Sequence, residues 1–355
     1  MITPILFPAV PSPRWRASPG LGLAVLVWLM VPALQVADGG QTNEAPVVHF
    51  AFSRTMFKDI NENDAKAAMR VYCKTIGDAY GIDTSSGPIY LDGTNAIAEM
   101  LRLKQIDMIS LTTEEYLVLE AQGLSGPFML SSINQTVTEE YVLLVRDDGP
   151  IRNLADLKGH SLIILNDLRG SLTALWLEVF CREHNLGPAS QVFSKVTAST
   201  KVTQVVLPVF FGKADACVTT RNGWDVMGEL NPQVKKQLRA IAVSPPVVPG
   251  LSCFRRDFPE ALKQKMVQTA EESHSQPAFK QLMALFKTDE LSLQSESVLD
   301  STRQLITAYY QLRAGTNQIP ASGSEPGLAQ KATETKEKRM TADRQAAQSP
   351  NASPP

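Results

Sequence analysis

Two short stretches, far apart in the chain, combine the same residue types in the same order. The first is Lys104-Gln-Ile-Asp107-Met-Ile-Ser-Leu-Thr112-Thr113 and the second is Lys213-Ala-Asp215-Ala-Cys-Val-Thr219-Thr220. Each reads as a helix end, an acid, a buried β-strand, and paired threonines where the next helix begins. A helix start carries unpaired N–H groups and partial positive charge, so hydroxyls placed there suit an anion. Gly170-Ser171-Leu172-Thr173 opens another helix with the same chemistry: Ser171 and Thr173 can donate O–H while the helix start donates N–H. Arg169 and Arg221 stand in loops beside helix starts. Their guanidinium forks match the paired oxygens of an oxyanion.

Each of these residues also has a plainer reading. Ser171 serves equally well as a simple N-cap. Thr112 with Glu115 makes a capping box, which leaves Thr113 the freer hydroxyl of its pair. Arg54, Arg169 and Arg221, each taken alone, read first as solvated surface arginines. Glu139 and Glu140 read as exposed loop acids with some capacity for an amino group, and Trp176 and Trp224 as core.

Several function classes lose support. The histidines His49, His160, His184 and His274 are scattered and pair with no nucleophile or metal spacing. No nucleophile elbow, Walker loop or dinucleotide fingerprint occurs, so the chain is not expected to hydrolyse ATP. Cys73, Cys181, Cys217 and Cys253 form no Cys-x-x-Cys pair, so neither a metal site nor a cofactor is expected. Their apolar surroundings favour buried thiols slightly over disulfides. With 34 basic and 36 acidic residues the net charge is −2, which gives no electrostatic footprint for nucleic acid. An enzyme using Cys217 or His160 is the weakest reading.

The elements that must position these groups alternate strand and helix. Residues 1–37 carry Arg14, Arg16 and an apolar run from Leu21 to Val31, and read as a signal peptide for export, with an uncleaved anchor as the lesser alternative. Residues 314–355 are Ala, Ser, Thr, Pro, Glu and Lys with few bulky apolar side chains, and read as a disordered low-complexity tail. Between them, Val47 to Phe52 reads as a strand ending in the polar loop Ser53-Arg54-Thr55. A helix follows whose apolar residues recur from Ala65 to Tyr80, with Gly81 as its stop. Further strands fall at Ile89–Leu91, Met108–Leu111, Tyr141–Val145, Ser161–Leu165 and near Val192, with helices from Thr94, Ser171 and Thr200. The Pro-rich stretch Val243 to Gly250 excludes helix and suits a return path between lobes. Helices at Pro259–Ser273, Phe279–Phe286 and Ser297–Leu312 close the chain. The pattern predicts an α/β fold of two lobes: 45–140 plus 247–312 as lobe one, and 141–246 as lobe two.

The order of these pieces resembles a known family. Lys-x-Asp before a strand, a hydroxyl-bearing helix start, Tyr141-Val-Leu-Leu-Val-Arg146, Ile151-Arg-Asn-Leu-Ala-Asp-Leu-Lys-Gly159 and Gly170-Ser171 occur in the sequence of the periplasmic phosphate/phosphonate-binding proteins of ABC transporters. The resemblance spans about residues 47–270 and implies the class II periplasmic binding fold, each lobe a mixed, mainly parallel sheet flanked by helices, with the ligand cleft between lobes. It implies capture of a small oxyanion of the phosphate, phosphite or phosphonate class for delivery to a membrane permease, in a periplasmic, monomeric protein. A ligand-sensing module for a membrane receptor or kinase is the alternative on the same fold. Residue by residue, it implies ligand contacts from Ser53 and Thr55 after the first strand, Thr112 and Thr113 after the third, Tyr141 at the lobe crossing, and Gly170, Ser171 and Thr173 at a lobe-two helix start. Thr219 and Arg221 join this set from the repeat, and Arg169 from its loop. The chain departs from the family pattern at Ala174, where a second Gly usually stands, and at Asp167-Leu-Arg169, where the family has a Gly-rich loop.

Overall fold

The computed structural model describes residues 45–272 and 276–314. The expected signal peptide lies outside the described residues, as does the expected tail apart from Ala314, which ends a helix. Strands are numbered in chain order. β1 (Phe50–Ser53), β2 (Ile89–Leu91), β3 (Met108–Thr112), β4 (Leu124–Ser132), β10 (Gly250–Arg255) and β11 (Glu290–Gln294) form one sheet in the order β11-β4-β10-β3-β1-β2. β5 (Tyr141–Arg146), β6 (Ser161–Leu165), β7 (Lys195–Ser199), β8 (Ala216–Thr220) and β9 (Leu238–Val243) form the other, ordered β7-β6-β8-β5-β9. β1 pairs in parallel with β2 and β3, and β10 runs antiparallel to β3 and β4. β6 pairs in parallel with β7 and β8, and β5 runs antiparallel to β8 and β9. The two lobes therefore share one plan, in which the strand arriving from the other lobe lies antiparallel beside the repeat strand.

This plan explains the duplicated sequence. β3 and β8 occupy equivalent places. Asp107 Oδ2 accepts the His49 N–H at 2.9 Å, just before β1. Asp215 Oδ2 accepts the Ser161 N–H at 2.8 Å and its hydroxyl at 2.7 Å, at the start of β6. Each acid thus ties the repeat strand to the beginning of its parallel neighbour, at the opposite end from the threonines. Burial pushes the Asp215 carboxyl up, but the Ser161 donors and nearby His160 outweigh it and hold it below the usual range. Counting from the acids, Thr112 corresponds to Thr220, so the threonine pairs are offset by one residue. Thr112 Oγ1 accepts the Glu115 N–H and Thr220 Oγ1 accepts the Gly223 N–H, each capping the following helix.

The helices are α1 (Glu62–Tyr80), α2 (Thr94–Arg102), α3 (Thr113–Leu119), α4 (Thr173–Glu183), α5 (Ala189–Val192), α6 (Val202–Phe210), α7 (Arg221–Leu230), α8 (Pro232–Gln237), α9 (Glu260–Glu272), α10 (Pro277–Leu285) and α11 (Asp300–Ala314). α1 begins where the Asn61 side chain accepts the N–H groups of Asn63 and Asp64, and stops at Gly81, whose φ of 60° is left-handed. The strand expected near Val192 starts three residues later, because Pro188 opens the helical turn α5 instead. Thr94 is the first residue of α2 rather than its cap, a place taken by Gly93.

Two connectors join the lobes, and they bond to each other: the Glu139 N–H reaches Val247 O at 2.7 Å and the Val247 N–H returns to Glu139 O at 2.8 Å. α11 differs from the expectation that all of 247–312 belongs with lobe one. Its Leu305 and Ile306 enter the lobe-two core with Trp176, Val179 and Val218. Its opposite flank holds lobe one, through Arg303 to Glu120 at 2.6 Å and Tyr310 Oη–H to Glu114 at 2.7 Å. Thr302 Oγ1 meanwhile accepts the Val248 N–H in the second connector. The apolar stripe of α11 finds its partner on α4, which lies beyond the reach of sequence periodicity.

All four cysteines are buried free thiols. Burial pushes the Cys73 and Cys181 thiols up to about 12, and raises Cys217 and Cys253 as well, which leaves them unreactive.

Candidate functional site

On the lobe-one side, the expected ligand-binding hydroxyls surround a carboxylate of the protein itself. Glu115, buried at the first turn of α3, accepts the Ser53 hydroxyl on Oε1 at 2.7 Å. Its Oε2 accepts the Thr55 hydroxyl at 2.8 Å, the Thr112 N–H at 2.9 Å and the Thr112 hydroxyl at 3.0 Å. The capping box foreseen for Thr112 and Glu115 is present, and it recruits the loop after β1 as well. Four donors converge on one carboxylate, an arrangement suited to an anion and filled by one within the chain. Thr113, the first residue of α3, gives its N–H to Pro249 O at 3.0 Å. Its hydroxyl is fully buried and has no partner.

On the lobe-two side, the loop 166–172 turns back on β6. Gly170 has no room for a side chain, since a Cβ there would lie 2.7 Å from Leu165 O. Its N–H donates to Asp167 Oδ1 at 2.7 Å. Burial raises the Asp167 carboxyl above its usual range, against the pull of that N–H. Thr173 turns its hydroxyl inward, to Leu165 O at 2.6 Å and Gly170 O at 2.9 Å. The Tyr141 hydroxyl donates to Arg169 O at 2.9 Å from a fully buried ring beside Trp176. Arg169 pairs with buried Glu139 and reaches across the cleft to Lys287 O at 3.3 Å. Glu139 is pushed upward by burial, with the Arg169 guanidinium opposing. Arg221 pairs with Glu140, and its N–H donates to Glu140 O at 2.7 Å. The Ser171 and Thr219 hydroxyls are shielded from solvent and, like Thr113, have no partner.

Ser53, Thr55 and Thr112 are therefore gathered around Glu115, and Tyr141, Arg169 and Gly170 around the lobe-two loop. Thr113, Ser171 and Thr219 keep uncommitted hydroxyls. Between the lobes lies a cavity of about 140 Å³ that runs into lobe one beneath β1 and β3. Of the eleven expected residues only Arg169 lines it. Its lining includes Met56, Leu168, Pro249 and Gly250, together with the Asp59–Lys287 pair at 2.8 Å. A Cβ on Gly250 would lie 3.4 Å from both Leu168 Cδ1 and Met56 Sδ, so both side chains lie against that glycine. Sequence reasoning missed this lining because apolar residues read as core whether or not they enclose space. Glu115 was legible as a cap, while its contacts with Ser53 and Thr55 depend on packing.

Among the described residues no group of His, Cys, Asp or Glu is arranged to hold a metal ion. Nor is any helix there long and apolar enough to cross a membrane. His160 Nδ1 lies 3.5 Å from Asp215 and His49 Nδ1 lies 2.9 Å from Asp107, both at the strand starts rather than at the cleft.

Solved structures share this fold at low identity. XAC2383 from Xanthomonas citri, in structures bound to chloride and to ATP, is 16% identical with a TM-score of 0.54, over 76% of this chain and 99% of that one. A binding protein component of an ABC phosphonate transporter from Pseudomonas aeruginosa is also 16% identical, with a TM-score of 0.52 over 84% of this chain and 99% of that one. No curated protein matches the sequence. The sequence profile of the family described as ABC transporter, phosphonate, periplasmic substrate-binding protein matches residues 79–297, more than half of the chain. With two mixed-sheet lobes, paired connectors and a cleft between them, the chain belongs to this family of periplasmic phosphonate-type substrate-binding proteins of ABC transporters.

Proposed function

We propose that this chain captures an oxyanion of the phosphate, phosphite or phosphonate class between its lobes and presents it to an ABC permease, binding without turnover. One observation carries the ligand reading: the Thr113 and Ser171 hydroxyls, from opposite lobes, are buried and unpartnered at helix starts. A buried hydroxyl without a partner costs about 1–3 kcal/mol. A bound anion accepting from both recovers that cost and links the lobes. Closure around it excludes the water that would screen the contact. The half-filled state of the site favours a sparing set of donors, since Ser53, Thr55 and Thr112 already serve Glu115.

Thermal unfolding with phosphate, phosphite, methylphosphonate and acetate tests this reading. A specific ligand at a hundred times its Kd stabilises by about 2.7 kcal/mol. Ser171→Ala and Thr113→Val each weaken binding by about tenfold or more, the value of a hydrogen bond to a charged group. No shift with any oxyanion sinks the proposal.

A further inference from the structure

The cavity between the lobes has a chemistry that its hydroxyl neighbours do not share. Six methionines line it: Met56, Met69, Met108, Met129, Met266 and Met283. They come from six different elements and make up six of the eleven methionines in the chain. Aromatic rings of Phe50, Phe52, Phe57, Tyr72 and Phe286 and several aliphatic side chains join them. Most of its polar side chains have partners: Arg169 pairs with Glu139 and Asp167 accepts the Gly170 N–H, while Ser131 also lines the space. Ser110 and Ser252 hydroxyls bond each other at 2.6 Å, Thr288 donates to Ser132 O at 2.7 Å, and Asp59 holds Lys287. A space so lined offers an entering group chiefly dispersion and burial. Methionine suits such a wall because its unbranched thioether adapts to irregular apolar shapes.

Two lining residues are bonded to the backbone of the residues that carry the uncommitted hydroxyls. Pro249 accepts the Thr113 N–H, and Leu168 accepts the Ser171 N–H at 3.2 Å. A molecule whose anionic end met Thr113 and Ser171 would direct its remainder into the methionine-lined space. Its 140 Å³ matches the roughly 150 Å³ of an apolar cavity that accommodates benzene.

We propose that this cavity seats an apolar substituent, so that the ligand is an organic oxyanion bearing a ring or alkyl chain of about six carbons rather than a bare inorganic anion. The proposal deepens the oxyanion reading and rests on it for the charged end only.

Isothermal titration of the full chain with methylphosphonate, butylphosphonate, hexylphosphonate and benzylphosphonate, and with benzyl alcohol, tests it. Kd falls about threefold to fourfold for each added methylene, levelling near six carbons. In protein labelled with ¹³C at methionine methyls, hexylphosphonate shifts the cavity methionines. It leaves Met100 of α2 and Met227 of α7, which lie outside the cavity, in place. Methylphosphonate binding as tightly as hexylphosphonate, with no selective methionine shifts, overturns the apolar seat and leaves the oxyanion reading standing. Benzyl alcohol binding with those shifts while every phosphonate fails supports the seat and removes the oxyanion reading. Silence from all five compounds overturns both.

Discussion

Replacing Glu115 with Ala removes the carboxylate around which the loop after β1 and the start of α3 are organised. It deprives the hydroxyls of Ser53, Thr55 and Thr112 and the Thr112 N–H of their acceptor. Hydrogen bonds to a charged group contribute about 1.5–3 kcal/mol each, and they do not add. Part of the loss is recovered locally, because Ser53 Oγ and Thr55 Oγ1 lie 2.8 Å apart and can turn to each other. The cap at Thr112 contributes about 1 kcal/mol of its own. A net loss of about 3 kcal/mol follows, within the range for removing one side of a buried charged contact, and lowers Tm by roughly 6–12 °C for a protein of this size. Glu115→Gln keeps one acceptor oxygen and lets Ser53 accept from the new amide, so its loss is about 1 kcal/mol. Acetate or formate, entering the hollow left by the Ala variant, restores part of the lost stability and does nothing comparable for wild type. Urea titrations with and without acetate measure all three effects. An Ala variant within about 1 kcal/mol of wild type, or a Gln variant as damaged as the Ala variant, would refute the view that Glu115 serves lobe one as an internal anion.

Asp167→Asn keeps the oxygen that accepts the Gly170 N–H and removes a carboxyl that burial raises above its ordinary value. A raised carboxyl favours the folded state fully below its unfolded pKa and loses that contribution as pH rises through the folded value. The Tm of the Asn variant minus that of wild type therefore grows from about pH 4 toward neutrality, and a gap that stays constant or shrinks contradicts the assignment. Gly170→Ala places a Cβ against the Leu165 carbonyl. The loop must shift to relieve it, costing about 1–3 kcal/mol and moving Ser171, so oxyanion affinity falls together with Tm. Unchanged affinity in that variant would show that the loop does not position the ligand.

Much of the architecture is legible in order along the chain. β5 and β6 are near-continuous apolar runs, β3 and β8 are mostly apolar up to their threonines, and α1 carries its own start at Asn61 and stop at Gly81. The fold class follows from their alternation and from the family-like order of motifs. Edge and late strands were harder to read. β4, β9 and β11 are half-polar or bounded by weak turn signals, and they become strands because a neighbour supplies the other half of each hydrogen-bond ladder.

The site divides along the same line. Caps are local, so Thr112 with Glu115 could be read from three residues of spacing. The repeat announced two equivalent strands because each capping threonine works within its own βα unit, while each acid ties its strand to the start of the parallel neighbour. Which hydroxyls remain uncommitted depends on partners 28 to 62 residues distant in chain, as for Tyr141 with Arg169 and Ser53 with Glu115. The methionine-lined cavity belongs wholly to the tertiary structure. A sequence specifies that each of those side chains is apolar and faces inward, but whether the faces touch or enclose space is decided by how six separate elements pack, since burial rewards contact without specifying which contact is made.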